Sequence, residues 1–177
     1  MKKFIKRSFD LVCVFFASIV FFPFFVAVYV AIKVEDGGPA IFKQERIGYK
    51  GKPFMLYKFR SMKVEGHEPI DKFGDAHEYD ESRKTRFGTF LRRTGIDELP
   101  QFFNVLFGSM SLVGPRPERI ENVYEYSKKY PEFELRHRVK GGLTGFAQLY
   151  GKYNTSPEDK LHMDLIYVET YSLFLDI

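Results

Sequence analysis

Tryptophan is absent from these 177 residues, and cysteine occurs once, as Cys13. A single thiol excludes an intrachain disulfide and, inside an apolar stretch, suggests no thiolate metal site. The four histidines (His67, His77, His137 and His162) show neither HxxxH nor HExxH spacing and read as ordinary surface or core residues rather than zinc ligands. Neither the P-loop pattern nor GxGxxG occurs, so the standard glycine-rich phosphate cradles are excluded. The charge is not strongly one-sided either. Against 23 Asp+Glu stand 27 Lys+Arg, a net of +4, so the placement of charge matters more than its total. No repeat or low-complexity tract follows residue 34. Apolar residues make up 45% of the chain and aromatics 18%, with 20 Phe, which excludes a disordered polymer. The length fits one domain with a real core.

One run is unusual. Leu11 to Ile32, LVCVFFASIVFFPFFVAVYVAI, holds 22 residues without a charge. As a helix it would measure about 33 Å, enough to cross a bilayer core. The run is too long for a signal peptide, and no small-residue cleavage site accompanies it. Pro23 sits at its centre, where it removes a donor and crowds the carbonyl of Ile19. Cations flank both ends: Lys2, Lys3, Lys6 and Arg7 before it, Lys33, Lys43, Arg46, Lys50 and Lys52 after it. A spanning helix cannot keep both flanks in the cytoplasm, as the positive-inside rule asks, whereas a re-entrant helix-break-helix bent at Pro23 can. The same cations would then lie near anionic headgroups on one leaflet.

Beyond this segment, EDGGPAIFKQERIG reads as a turn, a short strand and another turn. In PFMLYKFRSM the alternation predicts a strand with Met55, Tyr57 and Phe59 on one face and Lys58 and Arg60 on the other, either a solvated face or an anion site. Residues 63–86 read as a long polar loop. TRFGTFLRRT predicts a short helix carrying Arg92 and Arg93. In TGIDELPQ, Asp97 and Glu98 stand side by side ahead of Pro100. Asp97 suits an N-cap and Glu98 the first turn of a helix whose apolar residues are Leu99, Phe102, Phe103 and Leu106, ending at Gly108. A carboxylate held at a helix start can also do chemistry. Pro115 and Pro117 bracket Arg116 and cut its freedom, leaving it either a rigid turn residue or a prepared phosphate ligand. GGLTGFAQLYG reads as a glycine-punctuated loop able to approach a ligand, and Thr144 and Gln148 within it are candidate substrate contacts. Ser156 and Pro157 open a last helix, on which Asp164 falls on the apolar stripe and must be paired with an arginine or functional. Asn154-Thr155-Ser156 matches a glycosylation sequon, a pattern common by chance.

The basic flank, the proline-interrupted apolar run, DGGPAIFKQERIG, YKFRSM, IDELPQFFNVLFGSMSLVGPRPE, GLTGFAQLYG and LHMDLIYVETYSLFLDI occur in one order. Together they make the chain resemble the bacterial sugar transferases known as monotopic polyprenyl-phosphate phosphoglycosyltransferases. The resemblance covers nearly the whole chain. It implies an α+β, mostly helical fold, with a re-entrant membrane segment at residues 1–34 and a small membrane-embedded catalytic domain at 35–177 on the cytoplasmic face of a bacterial inner membrane. It also implies transfer of a phosphosugar from a UDP-sugar to undecaprenyl phosphate with Mg2+, starting glycan or exopolysaccharide assembly. By position, Asp97 matches the family's nucleophile and Glu98 its metal ligand. Lys58 and Arg92 match active-site cations, Arg116 matches the arginine of the Pro-Arg-Pro motif, and Asp164 matches a late acidic residue. Some positions depart from the pattern. Phe22-Pro23 replaces the usual Ser-Pro, Lys140-Gly141-Gly142 replaces Arg-Pro-Gly, and Phe146 replaces a tryptophan. Relatives usually continue past LFLDI with another apolar helix, and many carry an additional N-terminal membrane region.

The implied chemistry suits these residues. Attack on the β-phosphorus of a dianionic UDP-sugar repels an anionic nucleophile, and a metal on Glu98 together with Lys58, Arg92 and Arg116 would offset that charge. Asp97 would form an acyl-phosphate intermediate that the lipid phosphate resolves. Membrane phospholipids are the expected surroundings, and an oligomer is left open. Two rivals remain at this point: a non-catalytic membrane-anchored module holding anionic lipid, and a membrane phosphohydrolase using water as acceptor. Nucleic acid is disfavoured as a partner, because adjacent carboxylates within the cationic block weaken polyanion binding.

Overall fold

The computed structural model describes residues 2–63, 83–151 and 155–177. The described chain is mostly helical, with two small two-stranded sheets. Helix α1 runs from Lys2 to Asp36 and closes at Gly37, whose φ of 71° permits the left-handed turn and whose N–H reaches the carbonyl of Lys33 at 3.0 Å. The sequence predicts a break at Pro23, but the helix continues through it without interruption. A proline deletes only its own N–H, and long hydrogen-bonded ladders on both sides sustain the helix. By length and composition α1 can cross a membrane. Phe15, Phe16, Ile19, Val20, Phe22 and Phe24 are all more than half exposed, an apolar surface of the kind that seeks lipid or a partner.

The chain packs as two compact units, one of residues 1–20, 43–57 and 101–177, the other of residues 21–42 and 58–100. Each unit takes part of α1. Strands β1 (Ile41–Ile47) and β2 (Pro53–Phe59) form a hairpin shared in the same way. Burial along β2 does not follow the single face shared by Met55, Tyr57 and Phe59. Met55 is 42% exposed, while Leu56 (3%) and Phe59 (1%) are interior. Residues an odd number apart cannot share one pleated face. The reason is that Leu56 belongs to the core of the first unit and Phe59 to that of the second.

In the second unit, Val28, Ile32, Ala40, Phe59 and Leu91 form the core, flanked by Phe25, Ile41, Phe87, Ile96 and Leu99. Helix α2 (Arg86–Thr94) is capped by Thr85, whose Oγ1 accepts from the Gly88 N–H at 2.8 Å. Gly88 is required there: a Cβ would stand 2.1 Å from the Ser61 carbonyl oxygen. The helix predicted over TRFGTFLRRT is therefore present. The polar loop expected over 63–86 falls largely on residues 64–82, which lie outside the described residues, as do His67, His77 and Asn154 of the sequon.

In the first unit, Val14, Leu56, Val105 and Met110 form the core, with Phe54, Phe102, Leu106 and Leu112 around it. Its elements are α3 (Gln101–Phe107), β3 (Ser111–Val113), α4 (Ile120–Lys129), a 3-10 stretch (Pro131–Arg138), β4 (Gly142–Thr144), α5 (Phe146–Tyr150), α6 (Pro157–Thr170) and α7 (Leu173–Asp176). The stretch GGLTGFAQLYG, predicted as a loop, supplies β4 and α5. β4 pairs in parallel with β3, Ser111 opposite Gly142 and Val113 opposite Thr144. Local glycine content hides a strand whose partner lies about thirty residues away, and the approach needs those glycines, since a Cβ on Gly142 would meet Gly114 N at 2.1 Å. Helix α6 starts as predicted, with Ser156 Oγ accepting from the Asp159 N–H at 3.0 Å.

Candidate active site

The carboxylate pair is set by a glycine. Gly95, at φ 71°, ends α2 and at once opens a 3-10 turn, Ile96–Glu98. Asp97 is thus not the N-cap predicted from sequence. It lies inside the turn, and α3 begins only at Gln101. The left-handed glycine takes the boundary position that the pattern assigned to Asp97. Side chains in a 3-10 turn diverge by about 120° per residue, which separates the pair. Asp97 is buried at 7% exposure, while Glu98 turns to β2, where Lys58 Nζ donates to its Oε1 at 2.7 Å.

Two more predicted cations belong to this unit. Arg92 is exposed on the last turn of α2, and its Nε donates to Ser61 Oγ at 3.1 Å. Arg60 lies just beyond β2 rather than on it and is 7% exposed. Its Nε donates to the Pro39 carbonyl at 2.6 Å and its Nη1 to the Met62 carbonyl at 3.3 Å. Those bonds tie Arg60 to its own backbone. Pro23, the predicted membrane break, belongs to the same unit.

The remaining predicted residues belong to the other unit. Arg116 is half-buried between Pro115 and Pro117. The segment is pinned on both sides: the Gly142 N–H donates to the Pro115 carbonyl at 3.0 Å, and Arg46 Nη1 to the Pro117 carbonyl at 3.1 Å. Arg136 completes the clamp. Its Nη2 donates to the Arg116 carbonyl at 2.9 Å and lies 2.7 Å from Asp164 Oδ2, to which its Nε donates at 2.8 Å. Both partners are buried, and burial pushes the Asp164 carboxyl above the usual range against the pull of Arg136. Asp164 therefore acts on Arg116 through Arg136. Thr144 sits in β4, where its carbonyl accepts from the Gly114 N–H at 2.9 Å. Gln148 donates through Nε2 to the Leu143 carbonyl at 2.9 Å, leaving Oε1 buried without a hydrogen bond. Arg136 itself was not singled out in sequence; the only signal for it is the basic run RHRVK.

Beside Arg136 stands His137, whose imidazole is held down at about 4, first by burial and then by the Arg136 charge. It reads as a neutral packing histidine, its ring 6.5 Å from that of Phe133.

No group of three or more His, Cys, Asp or Glu side chains suited to a metal occurs among the described residues. Mg2+ does not require one, since it binds through one or two carboxylates together with substrate phosphates and water. The Glu98 carboxylate is a hard-oxygen donor of that kind.

The sequence profile described as bacterial sugar transferase matches residues 1–177. The chain belongs to the bacterial sugar transferase family. It is 38% identical over 182 residues to the UDP-glucose:undecaprenyl-phosphate glucose-1-phosphate transferase of Escherichia coli (strain K12), covering 100% of this chain and 39% of the relative. It is 40% identical over 177 residues to the UDP-N-acetylgalactosamine-undecaprenyl-phosphate N-acetylgalactosaminephosphotransferase of Aeromonas hydrophila, covering 98% and 41%. The uncharacterized sugar transferase EpsL of Bacillus subtilis (strain 168) is 43% identical over 176 residues, covering 98% and 82%. The chain spans about two-fifths of the length of the first two relatives.

Proposed function

We propose that the chain transfers a phosphosugar from a UDP-sugar to undecaprenyl phosphate, releasing UMP, at the cytoplasmic face of a bacterial membrane. The observation that carries this reading is the Asp97–Glu98 turn with Lys58 on Glu98, in a chain matched from end to end by the family profile. A carboxylate oxygen of Asp97 attacks the β-phosphorus, and the bond from that phosphorus to the UMP oxygen breaks, leaving an acyl-phosphate on Asp97. An oxygen of the lipid phosphate then attacks the same phosphorus and restores the carboxylate. Glu98 would hold Mg2+, which would supply charge neutralisation on the diphosphate. Lys58 holds the Glu98 carboxylate in orientation, and Arg92 and Arg116 offer cationic donors for phosphate oxygens. The basic flanks of α1 favour a re-entrant disposition with both ends cytoplasmic, which requires α1 to bend at Pro23 while helical hydrogen bonding continues on either side. The product would be the lipid-linked first sugar of a glycan or exopolysaccharide.

The test separates the carboxylates. With a UDP-sugar and no lipid, the wild type should release about one UMP per site in a burst and retain a labelled phosphosugar, which undecaprenyl phosphate then discharges. Asp97→Asn should abolish both burst and label. Glu98→Gln should recover part of the label at high Mg2+. UMP release requiring both substrates together would remove the covalent step, and steady release without lipid would make the enzyme a phosphohydrolase.

A further inference from the structure

A pocket of about 400 Å³ lies in the first unit, and its lining contains none of the catalytic or phosphate-binding residues named above. Its lining includes Lys6, Arg7, Arg138 and Lys140, with Asp10 and Glu169 as carboxylates and Tyr49, Val113, Val139, Val168 and Tyr171 as apolar or aromatic wall. The volume is in the range of small-molecule sites.

Two of its four cations are already committed. Lys6 is 4% exposed and closed between Asp10 Oδ1 at 2.6 Å and Asp176 Oδ2 at 3.0 Å. Arg7 donates to the carbonyls of Val105 and Leu106, the open C-terminal end of α3. Lys140 is different. It is half-buried and makes no hydrogen bond or ion pair among the described residues, and Arg138 at the exposed side also makes none. Yet Lys140 Nζ and Arg7 Nη2 stand 3.6 and 3.5 Å from one point, the place a Cβ on Gly108 would occupy. The carboxylate that acts on Lys140, Asp10, is already bonded to Lys6, so the two neighbouring cations Arg7 and Lys140 repel each other and an anion between them would relieve that repulsion. Burial, and then Arg7, hold the Lys140 ammonium below its ordinary range.

The backbone fixes this arrangement. The Ser111 N–H reaches the Gly141 carbonyl at 2.9 Å, and a Cβ on Gly114 would meet the Lys140 carbonyl at 2.4 Å. Lys140 is therefore laid against β3 by close backbone packing. The other wall is the first turns of α1, whose outward residues Phe4 (77%), Ile5 (47%) and Val12 (55%) are apolar. With α1 in a bilayer, cations at this end stand at the level of headgroup phosphates.

We propose that this pocket binds the phosphate of a lipid, with Lys140 and Arg7 bridged by the phosphate oxygens and the chain lying along the valine and tyrosine wall. The proposal rests on the reading above in placing the protein in a membrane with lipid phosphates at hand. The ligand chemistry could come from the acceptor or from bulk anionic phospholipid.

Native mass spectrometry of the detergent-solubilised full chain can count bound undecaprenyl phosphate, undecaprenol and phosphatidylglycerol without any turnover. The wild type should prefer undecaprenyl phosphate over undecaprenol. Lys140→Glu should weaken the phosphate-bearing lipid by about tenfold or more and leave undecaprenol unchanged, with Lys140→Gln intermediate and Lys140→Arg near wild type. Loss for undecaprenyl phosphate alone identifies the acceptor as occupant. Equal loss for phosphatidylglycerol identifies a headgroup site, and either outcome supports the proposal. Unchanged affinity of both folded variants for both lipids would overturn it, and so would loss confined to UDP-glucose binding. A chain that binds lipid phosphate through Lys140 but transfers no sugar would sink the transferase reading and leave this one standing.

Discussion

Replacing Asp164 with Asn separates a carboxylate that touches substrate from one that holds another residue in place. Arg136 and Asp164 have side-chain exposures of 6% and 2%, and both guanidinium contacts converge on Oδ2. At about 4 Å between charge centres and an effective dielectric of about 20, the attraction is roughly 4 kcal/mol. Removing one partner of such a pair costs about 3–5 kcal/mol, because the other charge stays buried. Asn keeps one acceptor, so Asp164→Asn should fall near the lower end and Asp164→Ala near the upper. For a chain of this size each kcal/mol moves Tm by about 2–4 °C, so the Asn variant should melt about 6–12 °C lower. Because Arg136 Nη2 also holds the Arg116 carbonyl, turnover should fall below the melting point as well, and the Asp164→Asn/Arg136→Gln double variant should lose less stability than the sum of the singles. Thermal melts in detergent, read with KM and kcat for the UDP-sugar, decide the matter. A variant melting with the wild type but showing a raised KM would refute the clamp and put Asp164 on the substrate.

His137 predicts an acid limb. Its folded value near 4 lies below the ordinary 6.5, so between those values the unfolded chain takes a proton that the folded chain refuses. Stability is full above about pH 6.5 and declines towards pH 4, by about 1–2 kcal/mol after allowance for partial exposure. His137→Phe should flatten that limb in pH-dependent denaturation, and an unchanged limb would place its origin elsewhere. Arg116→Ala should cost tenfold or more in kcat/KM with the fold intact, and Arg116→Lys should not fully restore it, since an ammonium lacks the planar fork. Near-normal turnover would make Arg116 a turn residue. For topology, single cysteines at Lys3 and Lys52 in a Cys13→Ser background should both resist an impermeant thiol reagent in intact cells, and labelling of one alone would mean that α1 spans. Lys52 is preferred to its neighbour Lys50, whose φ of 58° disfavours substitution.

Much of the helical content was legible in local pattern. The α2 helix, the apolar spacing of α3 and the Ser156 cap of α6 each rest on side-chain-to-backbone chemistry within a few residues. The dyad stood out as two carboxylates in a basic block, and Asp164 as an acid on an apolar stripe. The errors have one cause. Asp97 lost its cap position to the left-handed Gly95, and the Gly142–Tyr150 stretch became β4 and α5 because β3 lies beside it.

The sequence by itself determined where α1, α2, α3 and α6 fall, which segment is apolar enough for a membrane, and which residue types are gathered for phosphate chemistry, since these depend on composition and on spacing of a few residues. Only the tertiary structure decided partners. It chose Lys58 for Glu98 at a separation of 40 residues, Arg136 for Asp164 at 28, and Asp10 for Ser111 at 101. A pairing over such distances is settled by which backbones approach closely and which charges are left without water. Neither is written in any window of the chain short enough to read by pattern.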